Sequence, residues 1–335
     1  MNNLQQKYTW LERKLLRNKW VIIQLNYLKE NQFLGYRGIS WYSVMAFFYT
    51  WVDRRDLNIR ATSLSFIFFL ALFPSIIFIF TLIAYTPLAH HVQSVLLFFE
   101  RLLPTTAYVA VESTLSDILK NQRGELLSFG FLAAIYFSTN GFVSLMNALN
   151  RSDRLKETRS FWKKRVLAIF LAVVVSLSLF IAVTLLTIGN FSIQYLNGLA
   201  YFPSKVTPIL LSLINLLVVT LLTLFFISLI YYLAPTLHRK FKFISPGSVF
   251  ACLTIIITTL LFSTYINMFN AYNKVYGSIG ALIVVMLLLY INTYILLLGY
   301  EFNIAIDKTV NQIKLMHKSN QIKSNRLVYN TPVSE

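Results

Sequence analysis

Residues able to do acid, base or metal chemistry are sparse in this chain and do not converge. Its four histidines are His90, His91, His238 and His317. No H-E-x-x-H helix, Cys/His cluster, phosphate-binding loop, G-x-S-x-G elbow or Gly-rich dinucleotide fingerprint occurs. His90 and His91 with Glu100 could in principle ligate a metal, but solvated interfacial residues are the simpler reading. No catalytic set, metal or cofactor is expected. The single cysteine, Cys252, lies in an apolar run, so no disulfide framework can form within the chain. It reads as a small packing residue.

What recurs instead is uncharged polarity inside apolar stretches. One stretch holds Ser138, Thr139, Asn140, Gly141, Ser144 and Asn147; others hold Asn215, Thr254, Thr258, Thr259, Asn267, Asn292 and Thr293. Inside a bilayer such groups either hydrogen-bond neighbouring helices at close approach or line a polar path. Both readings stand for the first stretch. Ionisable residues within spans are the usual pointers to transport, and none lies at the centre of a span here. Glu301, at the end of the last apolar stretch, comes nearest. It could pair with an Arg or Lys of residues 150–165 or of the N-terminal segment, locking helix ends, or it could meet a substrate.

Composition says where these elements must live. The chain is 56% hydrophobic with a mean hydropathy of +0.61, only 13% charged, and carries a formal charge of +17. A soluble domain would have about a quarter of its residues charged. Too little polar material is present to coat a soluble fold, whereas lipid accepts apolar surface directly. The fold class is therefore all-α: a polytopic membrane protein of about six spans, each exceeding the roughly 20 residues that cross a ~30 Å core. The spans are Leu64–Thr86 (with Pro74 near its middle), Leu126–Leu149, Val166–Ile188, Ile209–Leu233, Ser248–Phe269 and Ile279–Tyr300. No cleavable signal peptide is visible in the first 30 residues, so the first span should direct insertion.

The flanking segments divide as follows. Residues 1–60 form a basic segment in which Trp41, Val44, Met45, Phe48 and Trp51 repeat at helical spacing. That helix either lies in the membrane interface or packs on the bundle. Residues 61–301 form the six-span domain, with an external helical hairpin over 87–125. Residues 302–335 form a basic tail. Loops 189–208 and 270–278 read as turns, with Tyr195, Tyr201, Tyr272 and Tyr276 in an aromatic belt.

A basic excess can mean nucleic acid or topology, and its placement decides. Residues 1–60 carry a net +6, residues 150–165 +5, residues 234–247 +3 and the tail +3, which together account for the whole charge. These segments alternate with non-basic ones along the chain. That is the positive-inside pattern: both termini are cytoplasmic, the span number is even, and no nucleic-acid partner is implied.

Several stretches resemble the YihY/BrkB family of bacterial inner-membrane proteins, once labelled ribonuclease BN. They are R-A-T-S-L-S-F-I-F-F-L-A-L-F-P at 60–74, S-T-N-G-F-V-S-L-M-N-A-L-N at 138–150 with E-T-R-S-F-W-K-K-R at 157–165, Y-L-A-P at 232–235 with S-P-G at 245–247, and N-A-Y-N-K-V-Y-G-S-I-G-A at 270–281 leading to L-L-L-G-Y-E-F-N at 296–303. They run in the family's order from about residue 40 to 308. Departures include Lys156-Glu157 where the family has an acidic pair, Phe137 before the second motif, and Ala71 in the first. The resemblance implies a six-helix inner-membrane protein linked to serum resistance and to lipid or lipopolysaccharide-precursor movement.

The expected function is a transporter not driven by ATP, or a protein handling lipid or envelope precursors. The alternative is a membrane scaffold or envelope-assembly partner. A ribonuclease reading fails on chemistry, because RNA hydrolysis needs a metal site or a paired acid and base. The expected partners are the bilayer and a lipid substrate, and oligomers are allowed. The site residues to watch are Ser138, Asn140, Gly141 and Asn147 in the second span, and Asn270, Asn273, Tyr276 and Gly277 at the external mouth, where Gly277 and Gly280 permit a tight entry to the last span. Arg159 and Trp162, with Glu301, should anchor the cytoplasmic side at the headgroups.

Overall fold

The computed structural model describes residues 40–84, 124–152, 157–177, 206–236, 243–268 and 270–329, with Tyr27, Lys29, Asn31, Ser116 and Asp117 besides. Among these residues the regular elements are all α-helices: α1 (Trp41–Trp51), α2 (Arg54–Ala84), α3 (Gly124–Ser152), α4 (161–177), α5 (Val206–Leu233), α6 (Pro246–Met268) and α7 (Asn270–Tyr329). Among the described residues, four helical stretches are long and apolar enough to cross a membrane: Arg54–Ser75, Leu127–Ser152, Leu213–Leu233 and Leu282–Gln312. Pro246–Phe262 is a shorter apolar helix. In the four windows only 33, 33, 17 and 22% of residues are buried. Most of their apolar surface therefore faces outward, where hydrocarbon is the one solvent that accepts it. The chain is an all-α polytopic membrane protein.

Of the six expected spans, the first, second, fourth and last have crossing helices, and α6 corresponds to the fifth. The third is described only through Leu177, and 178–188 lie outside the described residues. So do nearly all of the expected hairpin 87–125 and most of loop 189–208, with His90, His91, Glu100 and His238.

Two sequence expectations are corrected. Residues 270–278 were to form a turn, yet they are helical and begin α7. Asn and Gly are weak helix formers but do not forbid a helix that long neighbours propagate. Glu301 was to end the last helix, yet α7 continues without a break to Tyr329. The reason is visible in Phe302, Ile306 and Val310, which repeat every four residues and offer a face to bury.

The chain divides into two compact units, Asn58–Gly299 and the pair Met1–Leu57 with Tyr300–Glu335. In the second of these, the Ser40 hydroxyl caps α1 by accepting from the Ser43 amide at 3.2 Å. Val44 packs against Phe302 and Ile306 of α7, flanked by Trp41, Phe48 and Val310. The Phe48 and Phe302 rings meet edge to face at 5.4 Å. Met45 and Tyr49, on the other face, are exposed. Of the repeat expected on the apolar face of α1, Trp41, Val44 and Phe48 meet α7, whereas Met45 does not and is exposed.

In the larger unit, α6 starts on a reciprocal cap. The Ser248 amide donates to the Ser245 hydroxyl at 3.2 Å, and the Ser245 amide donates to the Ser248 hydroxyl at 3.0 Å. Pro246 occupies the first helical position, where its missing N–H costs nothing. α5 and α6 pack through small groups: Ser228 hydrogen-bonds Ser248 at 3.1 Å, and buried Cys252 donates to the Thr220 carbonyl at 3.5 Å. α7 joins them at Gly299, where an added Cβ would fall within 2.8 Å of the Tyr231 hydroxyl, Ala251 and the Gly247 carbonyl. Tyr231 also donates its hydroxyl to the Leu296 carbonyl.

Candidate functional site

Charged residues leading into α4 and polar groups at the ends of α3 and α5 form one connected cluster. Glu157 is its centre. Its carboxylate accepts from Arg159 Nε at 2.8 Å, Arg159 Nη2 at 2.9 Å, the Arg159 amide at 3.1 Å, Asn150 Nδ2 at 2.8 Å and the Thr236 hydroxyl at 3.0 Å. Arg159 in turn donates to the carbonyls of Ala234 at 2.7 Å and Leu233 at 3.5 Å, capping the end of α5. Asn150 closes the ring by accepting from the Thr236 amide at 2.8 Å. Partial burial disfavours the ionised carboxylate, but the Arg159 and Thr236 hydrogen bonds outweigh it and hold the Glu157 pKa at about 2. Every donor here stabilises a permanent anion. Such a group joins helix ends and is poorly suited to shuttling protons near neutral pH.

A second set of contacts lies along α3. Arg165, in the first turns of α4, reaches Asn140 with Nη1 at 2.6 Å and lies over the Tyr136 ring at 5.4 Å. Lys164 donates to Asn147 and stands 3.8 Å from Glu157. Arg60 of α2 is buried and donates to the Ala148 carbonyl at 2.8 Å and to the Ser152 hydroxyl. The last turns of α3 thus receive cations from two other helices, the sign that the end of a helix favours.

Beyond Arg165, α2, α3 and α4 leave a groove of about 500 Å³. Phe131, Ile135, Ile169, Val173 and Leu177 supply most of its wall, with Ala134 and Ala172. Four hydroxyls also border it: Ser75, Ser138, Thr139 and Ser176. Two of them are turned to their own helices, Ser75 donating to the Ala71 carbonyl at 2.8 Å and Thr139 to the Ile135 carbonyl at 2.7 Å. The surface offered to a guest is apolar.

The second-span residues singled out from the sequence therefore separate. Ser138 lines the groove, whereas Asn140 and Asn147 hold Arg165 and Lys164. Gly141 lets α2 approach α3, since a Cβ there would lie 2.8 Å from the Phe68 ring. Arg159 serves the Glu157 cluster, and Trp162 is 75% exposed beside Phe161. Glu301 is buried within α7, 3% exposed. Asn270, Asn273, Tyr276 and Gly277 are in the first turns of α7, and their side chains lie outside the described residues. Sequence reasoning missed Arg165 and Arg60. The available signal for Arg165 was the Tyr136–Asn140 pair one helical turn apart, a ready seat for a guanidinium. No group of three or more His, Cys, Asp or Glu among the described residues could hold a metal.

Comparison with known proteins fits this architecture. The model of the family described as Virulence factor BrkB matches residues 48–322. The ribonuclease-like protein YfkH of Bacillus subtilis is 34% identical over 74% of this chain and 90% of its own length. A UPF0761 membrane protein of Alteromonas mediterranea is 24% identical over 80% of this chain and 88% of its own. Another, of Pseudoalteromonas translucida, is 27% identical over 62% and 67%. No solved structure matches. The family match over most of the length, on a multi-pass helical architecture, makes this chain a member of the BrkB family of bacterial membrane proteins.

Proposed function

We propose that this protein handles lipid in the bacterial inner membrane, moving lipids or envelope precursors between leaflets without ATP, and that it is not an enzyme. The observation that carries the reading is the apolar groove bordered by α2, α3 and α4, with Arg165 at one end. An ion or sugar path would need polar or charged groups along it, whereas the groove wall is mainly aliphatic and aromatic with four hydroxyls and no charged side chain among its described lining residues. The non-enzymatic reading draws support from Glu157, whose ties to Arg159, Asn150 and Thr236 leave it a structural anion. The charge alternation supports cytoplasmic termini.

The test is reconstitution into sealed liposomes carrying a fluorescent phospholipid, with membrane-impermeant dithionite to bleach the outer leaflet. Faster transbilayer movement than in protein-free liposomes is expected, and an unchanged rate overturns the reading. RNA incubated with the purified protein, with and without EDTA, should stay intact; metal-dependent cleavage would make the protein an enzyme.

A further inference from the structure

We propose that the groove and the Arg165 guanidinium beside it form one binding site for an anionic phospholipid, its acyl chain in the groove and its phosphate on Arg165. The site rests on the lipid-handling reading and adds to it a choice of headgroup.

Arg165, Ile169, Ala172 and Ser176 follow one another at spacings of four, three and four, so they share one face of α4. The last three line the groove. Eleven residues at ~1.5 Å each span roughly 16 Å, close to the half-thickness of a ~30 Å hydrocarbon core. A molecule with a charged head and an apolar tail of half-bilayer length is what this face accommodates.

The depth is right for a headgroup. Phe161 and Trp162, both exposed, begin α4 with their rings against each other, as interfacial aromatics do. The charge of Arg165 is also uncommitted. Arg165 is held by a neutral amide and a ring, with no carboxylate partner among the described residues. A guanidinium with further N–H groups to offer takes a phosphate in two-point fashion, and a headgroup lacking its own cation keeps its full negative charge for that pairing, whereas the choline ammonium neutralises it and repels the arginine.

The experiment is native mass spectrometry of the full chain in detergent with equimolar dioleoyl phosphatidylglycerol and dioleoyl phosphatidylcholine, which share their chains. The phosphatidylglycerol adduct should dominate by about tenfold, and Arg165→Gln should erase most of that preference. Ala172→Phe, which fills the groove, should weaken both adducts while keeping their ratio. Equal binding by the wild type overturns the proposal, whether or not Arg165→Gln folds. So does displacement of the lipid by soluble glycerol phosphate at matched concentration, since the chain would then contribute nothing. Selective binding without transbilayer movement would leave this site standing and end the transport reading. Movement without headgroup preference would do the reverse.

Discussion

A Cβ built on Gly299 would lie 2.8 Å from the carbonyl oxygen of Gly247, so α7 and α6 meet there backbone to backbone. The same position faces the Tyr231 hydroxyl at 2.6 Å and the Ala251 Cβ at 2.7 Å. Two of the three neighbours cannot swing aside. Gly299→Ala should therefore cost about 1–3 kcal/mol, read as a lower unfolding temperature in detergent. Tyr231→Phe, which removes the nearest atom, should recover part of that loss in the double variant although it lowers stability alone. Additive losses would mean the hydroxyl is not the obstacle.

Gly141 makes the contrasting case. Its one close neighbour is the Phe68 ring, 2.8 Å from an added Cβ. That ring can shift by a few tenths of an ångström, although its edge-to-face contact with Phe142 limits the movement. Gly141→Ala should lower the unfolding temperature less than Gly299→Ala, and Phe68→Leu should relieve it.

Glu157 ties pH to stability with a definite sign. Its pKa is lowered from 4.5 to about 2, so the folded state binds its proton more weakly than the unfolded state. The stabilisation is fully present above pH ~4.5 and disappears as pH falls toward ~2. Unfolding temperatures of the wild type and Glu157→Gln should differ most near neutrality and converge across that window. A gap that persisted at pH 2.5 would point to lost packing and away from lost charge.

Arg60 should prove structural as well. Its buried side chain donates to the Ala148 carbonyl and the Ser152 hydroxyl near the end of α3. Arg60→Met keeps much of the stem and removes the donors, at an expected cost of about 1–3 kcal/mol. Arg60→Lys should rescue little, because an ammonium lacks the fork that reaches two acceptors.

The membrane architecture was legible because it rests on bulk properties: apolar length, missing charge and the placement of Lys and Arg. Residue roles were less so. Asn140, Asn147, Ser138 and Gly141 looked alike as polar or small groups in one span, and only side-chain directions separate two cation seats, a groove wall and a close approach. Arg165 was hidden because an arginine near a helix start reads as headgroup charge. Its long side chain instead carries the guanidinium to the middle of α3. The length of α7 was missed for a different reason. Asn, Gly and Glu301 look like punctuation locally, while Phe302, Ile306 and Val310 show their periodicity only when Val44 and Phe48 are there to meet them.

Pro74 bears on the groove in one further way. It lies in α2 next to Ser75, on one wall, and being proline it offers no N–H to the Leu70 carbonyl one turn earlier. Bending α2 at that point breaks no backbone hydrogen bond, whereas bending α3 or α4 beside the groove would. The three walls are therefore unequal in stiffness. In the proposed lipid site, a thicker or unsaturated acyl chain would be met by flexing α2, with the α3–α4 side, which carries Arg165, as the stiffer jaw.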